Sequence, residues 1–181
     1  MARYLGLLGS INVGGNRIKM AELRDVLTEA GFKDIATVAA SGNVIFTDDS
    51  DPAMLEIRLE DVVQSHFGFK SCAMVRSAEE VRAAIDENPF HGTEAHHGSD
   101  KMVHSIFLSQ QPDKSAVDAV IEEHRAKGSE RLALGDRVLF LDYVHGVGVS
   151  DLSNKFLEKR LGCKGTARNM NSLKNILAKM N

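Results

Sequence analysis

The chain has no tryptophan, two cysteines, three prolines and an aromatic content of 6% in 181 residues. Cys72 and Cys163 stand alone, outside any CxxC pair. That spacing gives no support to a zinc site or a thioredoxin-type redox centre, and reduced thiols in a cytoplasmic protein are the expectation. Three prolines beside fifteen glycines argue against a disordered or low-complexity chain. No stretch approaches the ~18 consecutive apolar residues needed to cross a bilayer. Arg3 precedes a short apolar run, but Gly6 and Gly9 interrupt it and no small-residue cleavage site follows, so a signal peptide is not expected. The net charge of −3 is too small to name a partner. Its distribution is uneven. From Ser153 onward there are seven basic residues (Lys155, Lys159, Arg160, Lys164, Arg168, Lys174, Lys179) and one acid, Glu158, while the balance around Asp48 to Asp61 is acidic. A basic end is either a solvated helix face or a surface for a phosphate backbone.

What is present is the profile of a folded soluble domain, 43% apolar and 26% charged. The chain is organised around Ser10-Ile11-Asn12-Val13-Gly14-Gly15-Asn16. An apolar run from Tyr4 to Leu8 leads in, and Met20, Leu23, Leu27 and Ala30 leave at helical spacing. Gly31 stops that helix, with Phe32 folding back on its last turn. Residues 34–40 and Val44 to Thr47 read as a hairpin about Ser41-Gly42-Asn43. Asp51-Pro52 opens a second helix, aspartate as cap and proline at the first helical position, and Gly68 closes it. Residues 69–75 form a further strand. Ser77 and Glu80 make a capping box for a third helix, which ends before Asn88-Pro89.

After a polar connector the order begins again. Val103 to Leu108 is a strand and Asp113 to Lys127 a helix. Leu132 to Leu134 pairs with Val138 to Leu141 across Gly135-Asp136. Ser150 to Leu161 is expected as a helix stopped by Gly162, then a strand near Lys164 to Ala167 and a last helix carrying Leu173, Ile176, Leu177 and Met180. Phe46-Thr47-Asp48 answers Phe140-Leu141-Asp142, Phe67-Gly68 answers Leu161-Gly162, and Arg76-Ser77 answers Arg168-Asn169. The expected fold is α+β, with two tandem ferredoxin-like βαββαβ modules, each followed by an extra helix, spanning residues 1–90 and 91–181. Helices would cover one face of each sheet, and the other faces would pack together or leave a cleft.

Ile11-Asn12-Val13-Gly14-Gly15-Asn16, Met20-Ala21-Glu22-Leu23 and Ser41-Gly42-Asn43-Val44 resemble the domain-of-unknown-function 1697 family. Val75-Arg76-Ser77, Asn88-Pro89-Phe90, Gly146 with Ser150, and Thr166-Ala167-Arg168-Asn169 follow in the same order as in that family. The resemblance runs over essentially the whole chain. It implies a bacterial-type cytosolic protein with two ferredoxin-like halves, and it implies no established activity. Three departures stand out. Gly9 and Ser10 replace an arginine and a glycine, Val38 and Ala40 replace an aromatic and a glutamine, and Met170 replaces a tryptophan. If members share an anionic or stacking ligand, these changes weaken or abolish its binding here.

Candidate ligand-binding residues are Asn12, Gly14, Gly15, Asn16, Lys19, Ser41, Asn43, Arg168 and Asn169. Successive amides of the glycine bend, with Arg17 and Lys19 near, suit an anion. The spacing is neither GxGxxG nor GxxxxGK[ST], and the competing reading is a tight turn whose asparagines bond their own backbone. Arg168 at a strand end suits a carboxylate or phosphate, or else ties a helix start to a neighbouring carbonyl. His91, Glu94, His96, His97 and Asp100 lack an i, i+4 pair on a helix, and no metal site is expected from them. Phe46, Phe107 and Phe140 lie on central strands, without the stacking motif of an RNA-recognition module. The sequence leaves any cofactor unknown. The leading expectation is a binding protein for an anionic ligand or nucleic acid, in a cleft shared by the glycine bend and the Arg168 corner. An enzyme acting on a phosphorylated or nucleotide-like small molecule, and a protein–protein interaction module, are the alternatives.

Overall fold

The computed structural model describes residues 1–93 and 97–181. The described residues form a mixed α+β fold with six α-helices and two four-stranded antiparallel sheets. By internal packing the chain divides into two compact units, residues 1–81 with 175–181, and residues 82–174.

In the first unit the sheet order is β2-β3-β1-β4, from β1 (Ala2–Leu8), β2 (Lys33–Val38), β3 (Asn43–Asp48) and β4 (Ala73–Ser77). Helices α1 (Met20–Glu29) and α2 (Pro52–Phe67) provide the crossovers. The register sets Tyr4 opposite Phe46 and Leu5 opposite Ile45 and Arg76. Leu8, Val44, Phe46 and Val75 pack on Leu23 and Leu27 of α1 and on Leu55, Leu59 and Val63 of α2. Gly6 leaves room on that face, since a Cβ there would lie 2.9 Å from Leu59 Cδ1. Leu5, Leu7, Ile45 and Met74, on the alternate positions, are buried too. Both faces of the central strands are therefore dry, which is why β1 reads as a nearly unbroken apolar run.

The local signals act as expected. Asp51 accepts a hydrogen bond from Ala53 N at 2.9 Å and Pro52 begins α2. Gly68 ends α2 in the left-handed region at φ 77°. Gly31, at φ 89°, lets Phe32 N reach back to Leu27 O at 3.1 Å. Phe32 then meets Phe46 edge-on at 4.9 Å, and the Arg58 guanidinium lies 4.4 Å from the Phe32 ring centre.

The second unit repeats the arrangement as β6-β7-β5-β8, from β5 (Val103–Leu108), β6 (Arg131–Leu134), β7 (Val138–Asp142) and β8 (Gly165–Asn169). Its crossovers are α4 (Lys114–Arg125) and α5 (Asn154–Leu161). Ile106, Leu108, Leu139 and Leu141 pack on Val117, Val120, Leu157 and Leu161. α5 starts later than the pattern suggested. Ser153 Oγ, not Ser150, accepts from a first-turn amide, that of Phe156 at 3.2 Å, and a single 3-10 turn occupies Val147–Val149. Ser150 Oγ instead accepts from Leu152 N at 3.1 Å, holding that stretch out of the helix. α3 (Ala78–Asp86) and α6 (Met170–Met180) follow the fourth strand of each repeat, and both cross the boundary between the units in sequence. No helix among the described residues is long and apolar enough to cross a membrane.

Candidate functional site

The loop leaving β1 is built from left-handed backbone. Ser10, Asn12, Gly14 and Gly15 have φ of 59°, 57°, 60° and 97°. Such conformations cost non-glycine residues free energy and persist where neighbours over-determine them. Here asparagine side chains do so. Asn12 Nδ2 donates to Ala40 O at 2.7 Å and Ile18 O at 3.2 Å, and its Oδ1 accepts from Ile18 N at 2.9 Å. Asn16 Nδ2 donates to Ser10 O at 3.2 Å. The loop base is pinned on both flanks, by Leu8 N to Gly42 O at 2.9 Å and by Gly9 N to Cys72 O at 2.8 Å. The fold thus brings the glycine bend beside the Ser41-Gly42-Asn43 turn. Asn43 is fully buried and its Nδ2 donates to Val38 O and Ser41 Oγ at 3.0 and 2.9 Å. Gly42 is needed there: at φ 77°, a Cβ would sit 2.8 Å from both Leu8 O and Ile11 Cγ1.

Asn12, Asn16 and Asn43 are therefore committed to holding the two loops. The remaining first-unit candidates face outward. Gly14, Gly15, Lys19 and Ser41 are exposed. Among the described residues the Gly14 and Gly15 amides have no acceptor, and a Cβ on either glycine would meet nothing within 4 Å. Lys19 is the N-cap residue of α1 and makes no side-chain cap bond. Arg17 Nη1 reaches Asn12 O at 3.4 Å.

Arg168 and Asn169 end β8 in the second unit. Arg168 is 7% exposed, and burial draws its guanidinium down to about 10, still cationic at neutral pH. Its Nη1 donates to Thr166 Oγ1 at 2.7 Å and Ala167 O at 2.8 Å. Arg76 is its counterpart, donating to Val75 O at 2.9 Å, with Glu56 at 3.6 Å. Each arginine anchors a strand end to its own backbone. Each is followed by a cap: Ser77 and Glu80 exchange both bonds of a capping box, and Asn169 Oδ1 accepts from Ser172 N at 2.9 Å. Met170, which stands at the family's tryptophan position, is fully buried. A tryptophan there would fill core and present no stacking surface.

In the connector, His91 pairs with Asp100, and Asp100 also takes Lys174 at 2.7 Å. His97 Nδ1 accepts from Gly92 N at 3.0 Å. Glu94 and His96 lie outside the described residues. Among the described residues no group of three histidine, cysteine or carboxylate side chains is placed to hold a metal. Phe46, Phe107 and Phe140 are at most 3% exposed, so none is available to stack on a base.

Two features escaped the sequence reading. His124 Nε2 and Glu130 Oε2 stand 2.7 Å apart, with side chains 8% and 11% exposed. Burial alone would push the Glu130 carboxyl up, but hydrogen bonds from Ser150, His124 and its own amide hold it at about 2. Tyr143 is pushed up to about 12 by burial and by the Glu130 charge. A Cβ at Gly128 would lie 2.3 Å from both Glu130 Oε2 and His124 Nε2, so any larger residue there would displace the pair. The second feature is a cavity of about 410 Å³ lined by Ser109, Lys155, Glu158, Lys159 and Lys164. The basic bias after Ser153 was its signal in the sequence, but periodicity does not show which lysines converge.

Similarity to known proteins agrees with this description. No curated protein matches the chain. Among solved structures, the conserved bacterial protein SP0830 from Streptococcus pneumoniae is 27% identical, with a TM-score of 0.70, over 99% of this chain and 98% of that one. Residues 1–140 match the model of the family described as "Protein of unknown function (DUF1697)". The chain, with its paired four-stranded sheets and asparagine-locked glycine bend, belongs to the DUF1697 family.

Proposed function

We propose that the protein binds an anionic ligand at the loop between β1 and α1. One observation carries the reading. The asparagines of this loop are spent on fixing its backbone, while the amides of Gly14 and Gly15 are left exposed without an acceptor among the described residues. A turn that existed only for chain reversal would have no need of such bracing around two unpaired donors. Adjacent exposed amides of a turn are donors suited to carboxylate or phosphate oxygens. Lys19, exposed and one residue before α1, adds a cation at the helix end whose dipole already favours negative charge. Ser41 is exposed on the turn that Asn12 ties to this loop.

Nucleic acid is the less favoured ligand, because the buried phenylalanines offer no stacking platform. We further propose that each half is a ferredoxin-like module, a reading supported by the strand orders β2-β3-β1-β4 and β6-β7-β5-β8 with helical crossovers. A cytoplasmic location fits two cysteines that remain free thiols.

The test is a titration of isotope-labelled protein with inorganic phosphate, a dicarboxylate and a single-stranded oligonucleotide, read at the Gly14 and Gly15 amides. Saturable downfield shifts with either small anion are expected, weakened by Lys19→Ala. Unmoved Gly14 and Gly15 resonances would refute the site. Binding to the oligonucleotide alone, falling steeply with salt, would transfer the reading to nucleic acid.

A further inference from the structure

We infer that the second unit holds a separate phosphate pocket beside α5, which takes a small phosphorylated molecule. Its cavity of about 410 Å³ is lined by Lys155 and Lys159 of α5, Lys164 before β8, and Ser109 after β5. That volume falls in the range of small-molecule sites.

The pairing of the cations sets these lysines apart. On α4, just after it and on α5, Lys114 holds Asp118, Arg125 holds Glu122, and Lys127 and Arg160 both hold Glu123. Lys155 and Lys159 have no carboxylate partner among the described residues. They stand one turn apart on the same helix, the spacing at which like charges repel. Lys155 also sits in the first turn of α5, where the helix dipole disfavours a cation, and no acid accompanies it there. An anion in the cavity would relieve both conflicts at once.

The remaining walls are consistent with that occupant. Glu158, the one carboxylate lining the cavity, is already engaged by Gly165 N at 3.1 Å, Asn154 Nδ2 at 3.3 Å and Lys164 Nζ at 3.3 Å. Its charge is largely answered before a ligand arrives. Ser109 Oγ accepts from Lys164 N at 3.0 Å, which leaves its own O–H to donate. Cys163, also in the lining, is held as a neutral thiol by burial and by Glu158, so it adds no negative charge. Three lysines and a hydroxyl donor lining one cavity match the several oxygens of a phosphate better than a single planar carboxylate. A volume of about 410 Å³ suits a ligand of mononucleotide size or smaller.

The test uses the full chain, with inorganic phosphate, adenosine monophosphate and a single-stranded oligonucleotide as probes. Amide shifts are followed at Ser109 and Lys164, and affinity is measured for the wild type and for the double variant Lys155→Gln/Lys159→Gln. Both small probes should shift those two amides, and the double variant should bind adenosine monophosphate more weakly by about tenfold or more. The double variant should unfold no earlier than the wild type, since a repulsive pair has been removed. A lack of response at Ser109 and Lys164 at millimolar probe, or equal affinity in the double variant, would overturn the inference. Tighter binding of the oligonucleotide than of the mononucleotide, with a steep salt dependence, would overturn it in favour of a nucleic-acid surface. Because Gly14 and Gly15 report on the other unit, either site can fail without the other.

Discussion

Replacing Asn12 by alanine removes three hydrogen bonds at once: two donated by Nδ2, to Ala40 O and Ile18 O, and one accepted from Ile18 N. At a net of about 1 kcal/mol each, less for the partly exposed ones, the loss is about 2–3 kcal/mol. Alanine must also occupy φ 57°, which adds about 1 kcal/mol of backbone strain. Asn12→Gly deletes the same bonds without the strain, so the two variants should differ by about 1 kcal/mol, glycine being the milder. Urea unfolding should show Asn12→Ala with a midpoint lowered by about 1 M or more. Hydrogen exchange gives the local readout. The Ile18 amide, whose acceptor is Asn12 Oδ1, should lose protection in both variants, while amides at the centre of β1 keep theirs in the folded state. A midpoint within about 0.2 M of the wild type, or a protected Ile18 amide in Asn12→Ala, would show that asparagine does not hold this loop. The account of the glycine bend as a braced donor set would then fall.

Gly42→Ala should destabilise by about 2–3 kcal/mol, because its Cβ meets Leu8 O and Ile11 Cγ1 at 2.8 Å on positive-φ backbone; calorimetric or urea unfolding decides it, and a neutral result contradicts the packing. Glu130 has its carboxyl held at about 2, below the ordinary value of 4.5, so it contributes stability present in full above about pH 4.5 and lost as the pH falls toward 2. The size is about 3 kcal/mol, and Glu130→Gln should flatten that acid limb in unfolding curves taken from pH 5 to 2, whereas an unchanged limb would assign it to other carboxylates. Gly128→Ala, which presses a methyl between His124 and Glu130, should cost about 1–3 kcal/mol and shrink the same acid limb. An intact limb in Gly128→Ala would show that the pair tolerates displacement.

Local chemistry was legible where a residue has one dominant physical use. Asp51-Pro52, the Ser77–Glu80 box and the stops at Gly31, Gly68 and Gly162 each act at the positions read from the sequence. Ambiguity arose where two residues compete for the same job. Ser150 and Ser153 are both good helix caps, and the half-buried carboxylate of Glu130 engages Ser150, leaving Ser153 to start α5. The site candidates divided for a similar reason. Asn12 satisfies the carbonyl of Ala40, 28 residues along the chain, so its role depended on which turn the fold set beside it, whereas Asn43 bonds within its own hairpin turn.

Element order, most of the stops and caps, and the family were readable before any fold was known, because they depend on periodicity and on the backbone preferences of single residues. Tertiary structure alone decided that Arg168 is buried against its own strand, that His124 meets Glu130, and that Lys155, Lys159 and Lys164 face one cavity while neighbouring cations are neutralised. Those outcomes are distances between residues remote along the chain. Charge and hydrogen-bond energies act over a few ångströms, so their partners are chosen only once the sheets and helices have packed.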